Sequence, residues 1–520
     1  MSSADNKRIA KNTLMLYLRM LLTMAVSLYT VRVVLNTLGV VDYGLYNVVG
    51  GIVTMFAFLS GTMASASQRF FAFELGTNNI IKLKRIFSTN LLIYFILAAI
   101  ILILAETIGL WFLNEKMTIP EERMEAARWV YQFSILSFIV TILNIPYNSI
   151  IIARENMQIF AYVSILDALL KLGIVYLLAI FMVDKLKLYA ILTFVVTLFV
   201  TSVYRYICKY KYEESRFVFI FDKTLFKTIL SYSGWNLLGA AAGVANNQGI
   251  NILLNIFFGP IINASRAIAY QVNSAITVFT SNFYTAVNPQ IIKSYAINNK
   301  NRMFSLVFAS SKFAFFMMLF LSLPIFIEMK FMLSLWLSQV NDHMILFTRL
   351  IIIFSLINVW ESPLTQVSRA TGKIMTYQIT VGSFALITLP VSYFLFKQGY
   401  PNYSAFIVSI VIYFLATFIR LQVIRNLVQF PVKEYINRVM LTNIYISVLA
   451  AIFPTVIYYY FPYGVIRFLL TSFVSIFSVF CAVFFFGLNK NEKHMIIEYV
   501  IKFGKNTFNL IKRKPICRKH

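Results

Sequence analysis

The chain has 520 residues, 59% of them hydrophobic, and only 13% charged. A soluble domain of this length has too little interior for so much apolar side chain. Apolar runs of about 20 residues, the thickness of a bilayer core, recur throughout, while a transmembrane barrel needs alternating strands of about 10. The net charge of +26 sits in loops and at the C-terminus, so no nucleic-acid partner is expected, and the composition points to an all-α polytopic membrane protein.

In chain order, Lys7, Arg8 and Lys11 precede a first apolar run that is too long for a cleaved signal peptide and has no A-x-A site. Spans are predicted at 13–37 and 43–67, joined by a tight turn at 39–42. The next lie at 86–110 and 129–153, separated by the acidic segment 114–128, then at 159–182 and 188–208. A polar stretch, 209–227, leads to spans at 229–258, 267–291, 304–328, 344–368, 377–396, 404–424, 441–461 and 464–487. About fourteen transmembrane helices result. They divide into a six-helix bundle (1–208), a cytoplasmic linker (209–227), a second six-helix bundle (228–425), an extra helix pair (426–487) and a basic cytoplasmic tail (488–520).

Alternating the spans from a cytoplasmic N-terminus puts 32 basic residues on the cytoplasmic side and 9 outside. The other 5 (Arg19, Arg32, Lys171, Lys312 and Arg349) fall within spans. This asymmetry predicts cytoplasmic N and C termini. The tail carries 9 basic and 2 acidic residues, with Ile496, Val500, Phe503 and Phe508 at roughly helical spacing. It is expected to lie on anionic membrane lipids.

The chain also repeats itself. VVLNTLG at 33–39 is similar to ILLNIFFG at 252–259, with Asn36 matching Asn255 at an offset of 219 (255 − 36). Each is followed by a turn and a span rich in small and polar residues, ending in FELGTNN (73–79) and SYAINNK (294–300). Six spans separate the copies, so both have the same orientation. Two parallel bundles would enclose a central cavity, a plan used by transporters.

Polar residues inside the spans mark that cavity or a packed helix face, because lipid penalises them. Asn247, Asn251 and Asn255, at i, i+4 and i+8, share one helix face, and Arg266 follows the Gly259-Pro260 break. Arg19 and Arg32 lie in the first span and Arg69 at the cytoplasmic end of the second. Each has a structural reading as well: snorkelling, topology or helix anchoring. The Asn stripe could instead be interhelical glue, and Gly239 and Gly243 form a G-x-x-x-G that reads as close helix packing. Asp167 and Lys171, at i, i+4, pair with each other or form an ion site. Glu361, with Pro363 and Gln366 nearby, is the better proton or cation candidate, since a proline frees a carbonyl beside a cavity. Three cysteines (Cys208, Cys481, Cys517) and three histidines (His343, His494, His520) have no metal or disulfide spacing. No Walker motif, dinucleotide fingerprint or nucleophile elbow is present, so no metal, no cofactor and no enzyme activity are expected.

RIAKNTLMLYLRMLLTMAVSLYTVRVVLNTLGVVDYGLYNVVGG near the N-terminus, and FGPIINASRAIAYQVNSA with VNPQIIKSYA in the second half, resemble the polysaccharide-exporting flippases of the MOP superfamily. The resemblance covers nearly all of the chain, including a 6 + 6 + 2 layout. It implies a Wzx-type flippase that moves an undecaprenyl-pyrophosphate-linked glycan from the cytoplasmic to the periplasmic leaflet of a bacterial inner membrane, for O-antigen or other surface polysaccharide. It also implies work beside other polysaccharide-assembly membrane proteins. The lipid II flippase, a more distant relative, engages pyrophosphate with basic cavity residues, and the final helix pair of the related family offers a groove for the lipid tail. On this reading Arg19, Arg32, Arg266 and Arg69 are the pyrophosphate candidates, because a guanidinium makes bidentate contacts to phosphate. Asn36, Asn247, Asn251, Asn255 and Gln271 line the sugar path. Glu361, Asp167 and Lys171 are the candidates for coupling to a Na+ or H+ gradient or to membrane potential, and the expected state is a monomer. Two other classes stay open: a drug or cation antiporter of the same superfamily, and a membrane glycosyltransferase or polymerase. The first would prefer an acidic cavity; the second would need a long outer loop or a carboxylate cluster.

Overall fold

The computed structural model describes residues 3–54, 57–115, 119–181, 183–218, 222–337, 340–489 and 492–493, and among these there is no strand. The amphipathic tail pattern from Ile496 to Phe508 lies outside the described residues.

The first half comprises α1 (Ser3–Thr54), α2 (Ala57–Thr77), α3 (Ile80–Leu104), α4 (Met124–Ala153), α5 (Met157–Ile180) and α6 (Lys185–Lys211). The second comprises α7 (Lys223–Phe258), α8 (Pro260–Ala296), α9 (Lys300–Ile327), α10 (Asp342–Asn358), α11 (Glu361–Thr371), α12 (Ile374–Lys397) and α13 (Ser404–Val428). A last pair, α14 (Val432–Tyr460) and α15 (Val465–Gly487), packs on α9. Among the described residues, eleven helical segments are long and apolar enough to cross a bilayer. By contrast α7 and α8, 36 and 37 residues long, are too polar to qualify. Helices of that length and polarity avoid lipid by turning their amides and hydroxyls towards protein or water.

Two turns repeat in detail. Gly39, at φ 81 and ψ 169, breaks α1, and Gly259, at φ 79 and ψ −177, separates α7 from α8. This conformation is essentially open to glycine alone. The two are 220 positions apart (259 − 39). So are the positive-φ residues Asn78 and Asn298. Each is followed by an N-cap: Asn79 accepts from the Lys82 N–H and Asn299 from the Arg302 N–H, both at 3.0 Å. The backbone thus sets the repeat one residue away from the offset of 219, which aligned Asn36 with Asn255 instead of glycine with glycine.

The predicted tenth span is two helices, α10 and α11. Pro363 has no N–H for the carbonyl of Val359 four residues earlier. The Tyr284 hydroxyl donates to that oxygen at 2.6 Å, so the break is satisfied from α8.

Each half has its own core. One gathers residues of α2 to α6, with Ile229, Tyr232, Ile292, Ala370 and Ile374 added from the second half. The other runs through α8 to α13 and takes in Ile446, Ala450, Val479 and Ala482 of the last pair. The bidentate pair of Arg467 with Glu328, at 2.9 and 3.0 Å, fastens α15 to the end of α9.

The halves meet at one end. Glu155, on the turn between α4 and α5, is 3% exposed. It lies 3.2 Å from Arg8 of α1 and accepts at 2.5 Å from both Gln290 and Lys293 of α8. Beside it Phe73 of α2 contacts Tyr295 of α8, and a side chain at Gly76 would collide with Ala296.

Candidate functional site

Three of the sequence-predicted residues come together where α7 turns into α8. Arg266 is 6% exposed. Its Nη2 donates to Asn247 Oδ1 at 2.6 Å and to the Asn247 carbonyl at 3.0 Å, and its Nη1 donates to Asn251 Oδ1 at 3.2 Å. The guanidinium lies 4.3 Å over the Tyr270 ring. Its Nε is buried without a partner, and no carboxylate pairs with it among the described residues. Asn263 completes the group by donating to Asn251 Oδ1 at 3.2 Å. Asn255, the third residue of the stripe, is exposed outside this cluster, as are Asn36 and Gln271.

Next to the cluster lies a cavity of 370 Å³, lined mainly by α7, α10, α11, α12 and α13, with Tyr270 of α8 and Thr62 of α2. Asn236, Asn246 and Asn247 supply amides and Tyr270, Tyr377 and Tyr413 supply rings. A second cavity, of 460 Å³, runs between α8 and the α10–α11 break, lined by Thr280, Ser281, Thr285 and Asn288. Asn358, Glu361, Thr365 and Arg369 belong to both. Glu361 is therefore a cavity residue, but it is already neutralised: Arg420 of α13, 2% exposed, lies 3.0 Å from its Oε1. Gly239 and Gly243 also line the first cavity. A Cβ at Gly239 would strike the Gln378 amide at 2.1 Å, while one at Gly243 would meet nothing within 4 Å. The packing reading of the G-x-x-x-G holds at Gly239, which lets Gln378 of α12 approach α7, and not at Gly243, which leaves open space in the cavity.

The other cations have mixed placements. Arg19 is half-buried; its Nη2 donates to Asn282 Oδ1 of α8 at 3.0 Å and its guanidinium stacks 4.7 Å over Phe160. Its Nε lacks a partner, so Arg19 shares with Arg266 an amide contact and no carboxylate among the described residues. Arg69 is committed elsewhere. Its Nε donates to the Arg369 carbonyl at 3.0 Å and its Nη2 to the Ala370 carbonyl at 3.2 Å. It thereby caps α11 and ties the halves together, which leaves little of it for a head group. Gly372, at φ 77, makes the room: a Cβ there would lie 2.7 Å from the Arg69 Nη2. The Arg32 side chain lies outside the described residues. Asp167 and Lys171 pair with each other at 2.9 Å. Arg349 bonds the carbonyls of Phe326 and Ile327 at the end of α9, away from Glu361.

The chain resembles several solved transporter structures. An outward-facing multidrug resistance MATE family transporter of the MOP superfamily superposes with a TM-score of 0.67, at 15% identity, over 81% of this chain and 96% of that one. The fold is that of the MOP-superfamily transporters. A MOP superfamily transporter from Pyrococcus furiosus, described as having a binding pocket of reversed polarity, gives a TM-score of 0.64 at 14% identity, covering 81% of this chain and 96% of that one. A Vibrio cholerae MATE transporter gives 0.65 at 14%, covering 82% and 97%. No family model and no curated protein matches the chain.

Within this MOP-type fold the sequence reading missed Arg369 and Arg420, which it counted with the loop cations. Arg420 lies well inside α13 and pairs with a residue 59 positions earlier (420 − 361), a contact that no local pattern announces. Arg369 could have been found: it follows Glu361 and Thr365 at intervals of four, so the three share a helix face.

Proposed function

We propose that the protein is an alternating-access transporter that moves an undecaprenyl-pyrophosphate-linked oligosaccharide from the cytoplasmic to the periplasmic leaflet of a bacterial inner membrane. The observation that carries this reading is Arg266: a buried cation held by the amides of Asn247 and Asn251, with no counter-charge from the protein among the described residues. Burying an uncompensated charge is expensive, so the site is at its best when an anion arrives. A pyrophosphate supplies that anion, and Arg19 offers a second half-buried guanidinium where α1 meets α8. The amides and tyrosines along α7 and α8 suit a hydrated glycan.

The experiment is a ligand-induced melting shift on the purified chain, with undecaprenyl pyrophosphate in one arm and the lipophilic cation tetraphenylphosphonium in the other. Stabilisation by the pyrophosphate lipid alone, lost in Arg266→Gln, supports the reading. Since Arg266→Gln removes a buried charge and keeps an amide-bonding group, its unliganded melting temperature should stay level or rise.

A drug or cation antiporter is the second reading, favoured by Glu361, a carboxylate on the wall of both cavities. Its bond to Arg420 weighs against it, because a neutralised carboxylate attracts a cation weakly. Stabilisation by tetraphenylphosphonium, abolished in Glu361→Gln, would select this reading.

A further inference from the structure

The wall shared by the two cavities carries a charge that the pyrophosphate site does not use. Glu361, Thr365 and Arg369 occupy one face of α11 and line both spaces. The charge of Glu361 is met by Arg420 at 3.0 Å. Arg369 has no carboxylate partner among the described residues, and its Nε is buried and unpaired. One positive charge is left over on this wall. Around the first cavity, Asn236, Asn246 and Asn358 each have a buried Oδ1 that accepts no hydrogen bond from the protein. The Asn236 amide is oriented by its own Nδ2, which donates to the Tyr232 carbonyl at 2.9 Å, so its oxygen is the free atom. An unmet buried acceptor is costly. The Asn246 amide has the Tyr413 hydroxyl within 3.5 Å to answer it, so the fixed acceptor is the Asn236 oxygen, and beside an unmatched cation it describes a ligand by its complement.

That complement excludes the simplest ligands. An organic cation repels Arg369. Inorganic phosphate satisfies Arg369, but as an anion rich in acceptors it offers little to the Asn236 oxygen. A neutral sugar satisfies the oxygens and leaves the cation. A sugar bearing an acidic group answers both needs, with hydroxyl donors for the amides and a ring face for Tyr270, Tyr377 or Tyr413.

We propose that the cavity walled by Glu361, Thr365 and Arg369 binds an acidic sugar residue of the transported glycan, with Arg369 contacting its anionic substituent. This rests on the reading of the chain as a glycan-lipid transporter and adds a substrate class to it: acidic repeat units are preferred to neutral ones. The site adjoins the Arg266 cluster, with which the cavity shares Asn247 and Tyr270, and differs from it in its cation, Arg369 in place of Arg266.

The test titrates the purified full-length protein with glucuronic acid, glucose 1-phosphate, glucose and inorganic phosphate, following the melting temperature. At least one acidic sugar is expected to bind about tenfold or more tightly than glucose or phosphate, the equivalent of one charge-assisted hydrogen bond. Whichever acidic sugar binds more tightly identifies the substituent as carboxylate or phosphoryl. Arg369→Gln should bring the acidic-to-neutral ratio to about one. Gly243→Leu, at a position where an added Cβ meets nothing within 4 Å, should fill the cavity and abolish binding without lowering the unliganded melting temperature. Equal binding of glucose and the acidic sugars by wild type, or a preference that survives Arg369→Gln, would overturn the proposal. Flipping assays separate the two layers of the argument. Equal transport of acidic and neutral glycan-lipids, unchanged in Arg369→Gln, defeats the acidic-sugar site and leaves the flippase; transport of neither defeats both.

Discussion

Arg420 and Glu361 show how a single pair decides the character of a cavity. Arg420 is buried among the side chains of α13, so removing its partner strands a cation, whereas removing both leaves a neutral space. Glu361→Gln should therefore destabilise the protein by about 1–3 kcal/mol, less than a fully buried pair because a third of the Glu361 side chain is exposed. Glu361→Gln combined with Arg420→Met should recover most of that loss. Thermal unfolding of the two single variants and the double measures the coupling directly. Additive losses would mean that the two groups do not depend on each other.

At the scale of elements, Gly39 and Gly259 are the joints of the repeat. Both have space for a Cβ and neither has a backbone that tolerates one. Gly259→Ala should cost about 1–3 kcal/mol of strain without any steric clash; a melting temperature equal to wild type would contradict this. Gly259 was legible in the sequence because glycine next to proline is a strong local signal, and Gly39 because it opens a short turn between two apolar runs, which were themselves legible. The α10–α11 break was visible only as a proline, since Tyr284, which satisfies the freed carbonyl, comes from another helix. The fate of each arginine was the least legible feature. A basic residue in or beside a span reads the same in sequence whether it faces water, caps a neighbour as Arg69 does, or is buried against a carboxylate as Arg420 is. Only the fold, which brings residues hundreds of positions apart into contact, separates these outcomes.

For the whole molecule, contacts between the halves form a latch at one end, the end that the distribution of basic residues predicts to be cytoplasmic. Glu155 is its hub, receiving Arg8, Gln290 and Lys293, with the Arg69 cap of α11 beside it. An alternating-access cycle must release these bonds to admit substrate from that side. Glu155→Gln removes the charge that holds two cations and should shift the population towards the opened end. Spin labels at Ile81 and Ile297, both exposed near the latch, should show a longer distance component in this variant. An unchanged distance distribution would mean that the latch is not the closing element.

On the proposed function, the cationic, amide-lined interior carries an anionic glycan lipid across the bilayer. The most direct measurement is flipping of a fluorescent undecaprenyl-pyrophosphate-linked oligosaccharide in proteoliposomes, with wild type and Arg266→Gln reconstituted to equal density. Wild type should transport it and the variant should lose about tenfold or more, the scale of a lost charge-assisted contact to phosphate. Failure of wild type to flip this lipid, together with export of organic cations by the same vesicles, would contradict the proposed function.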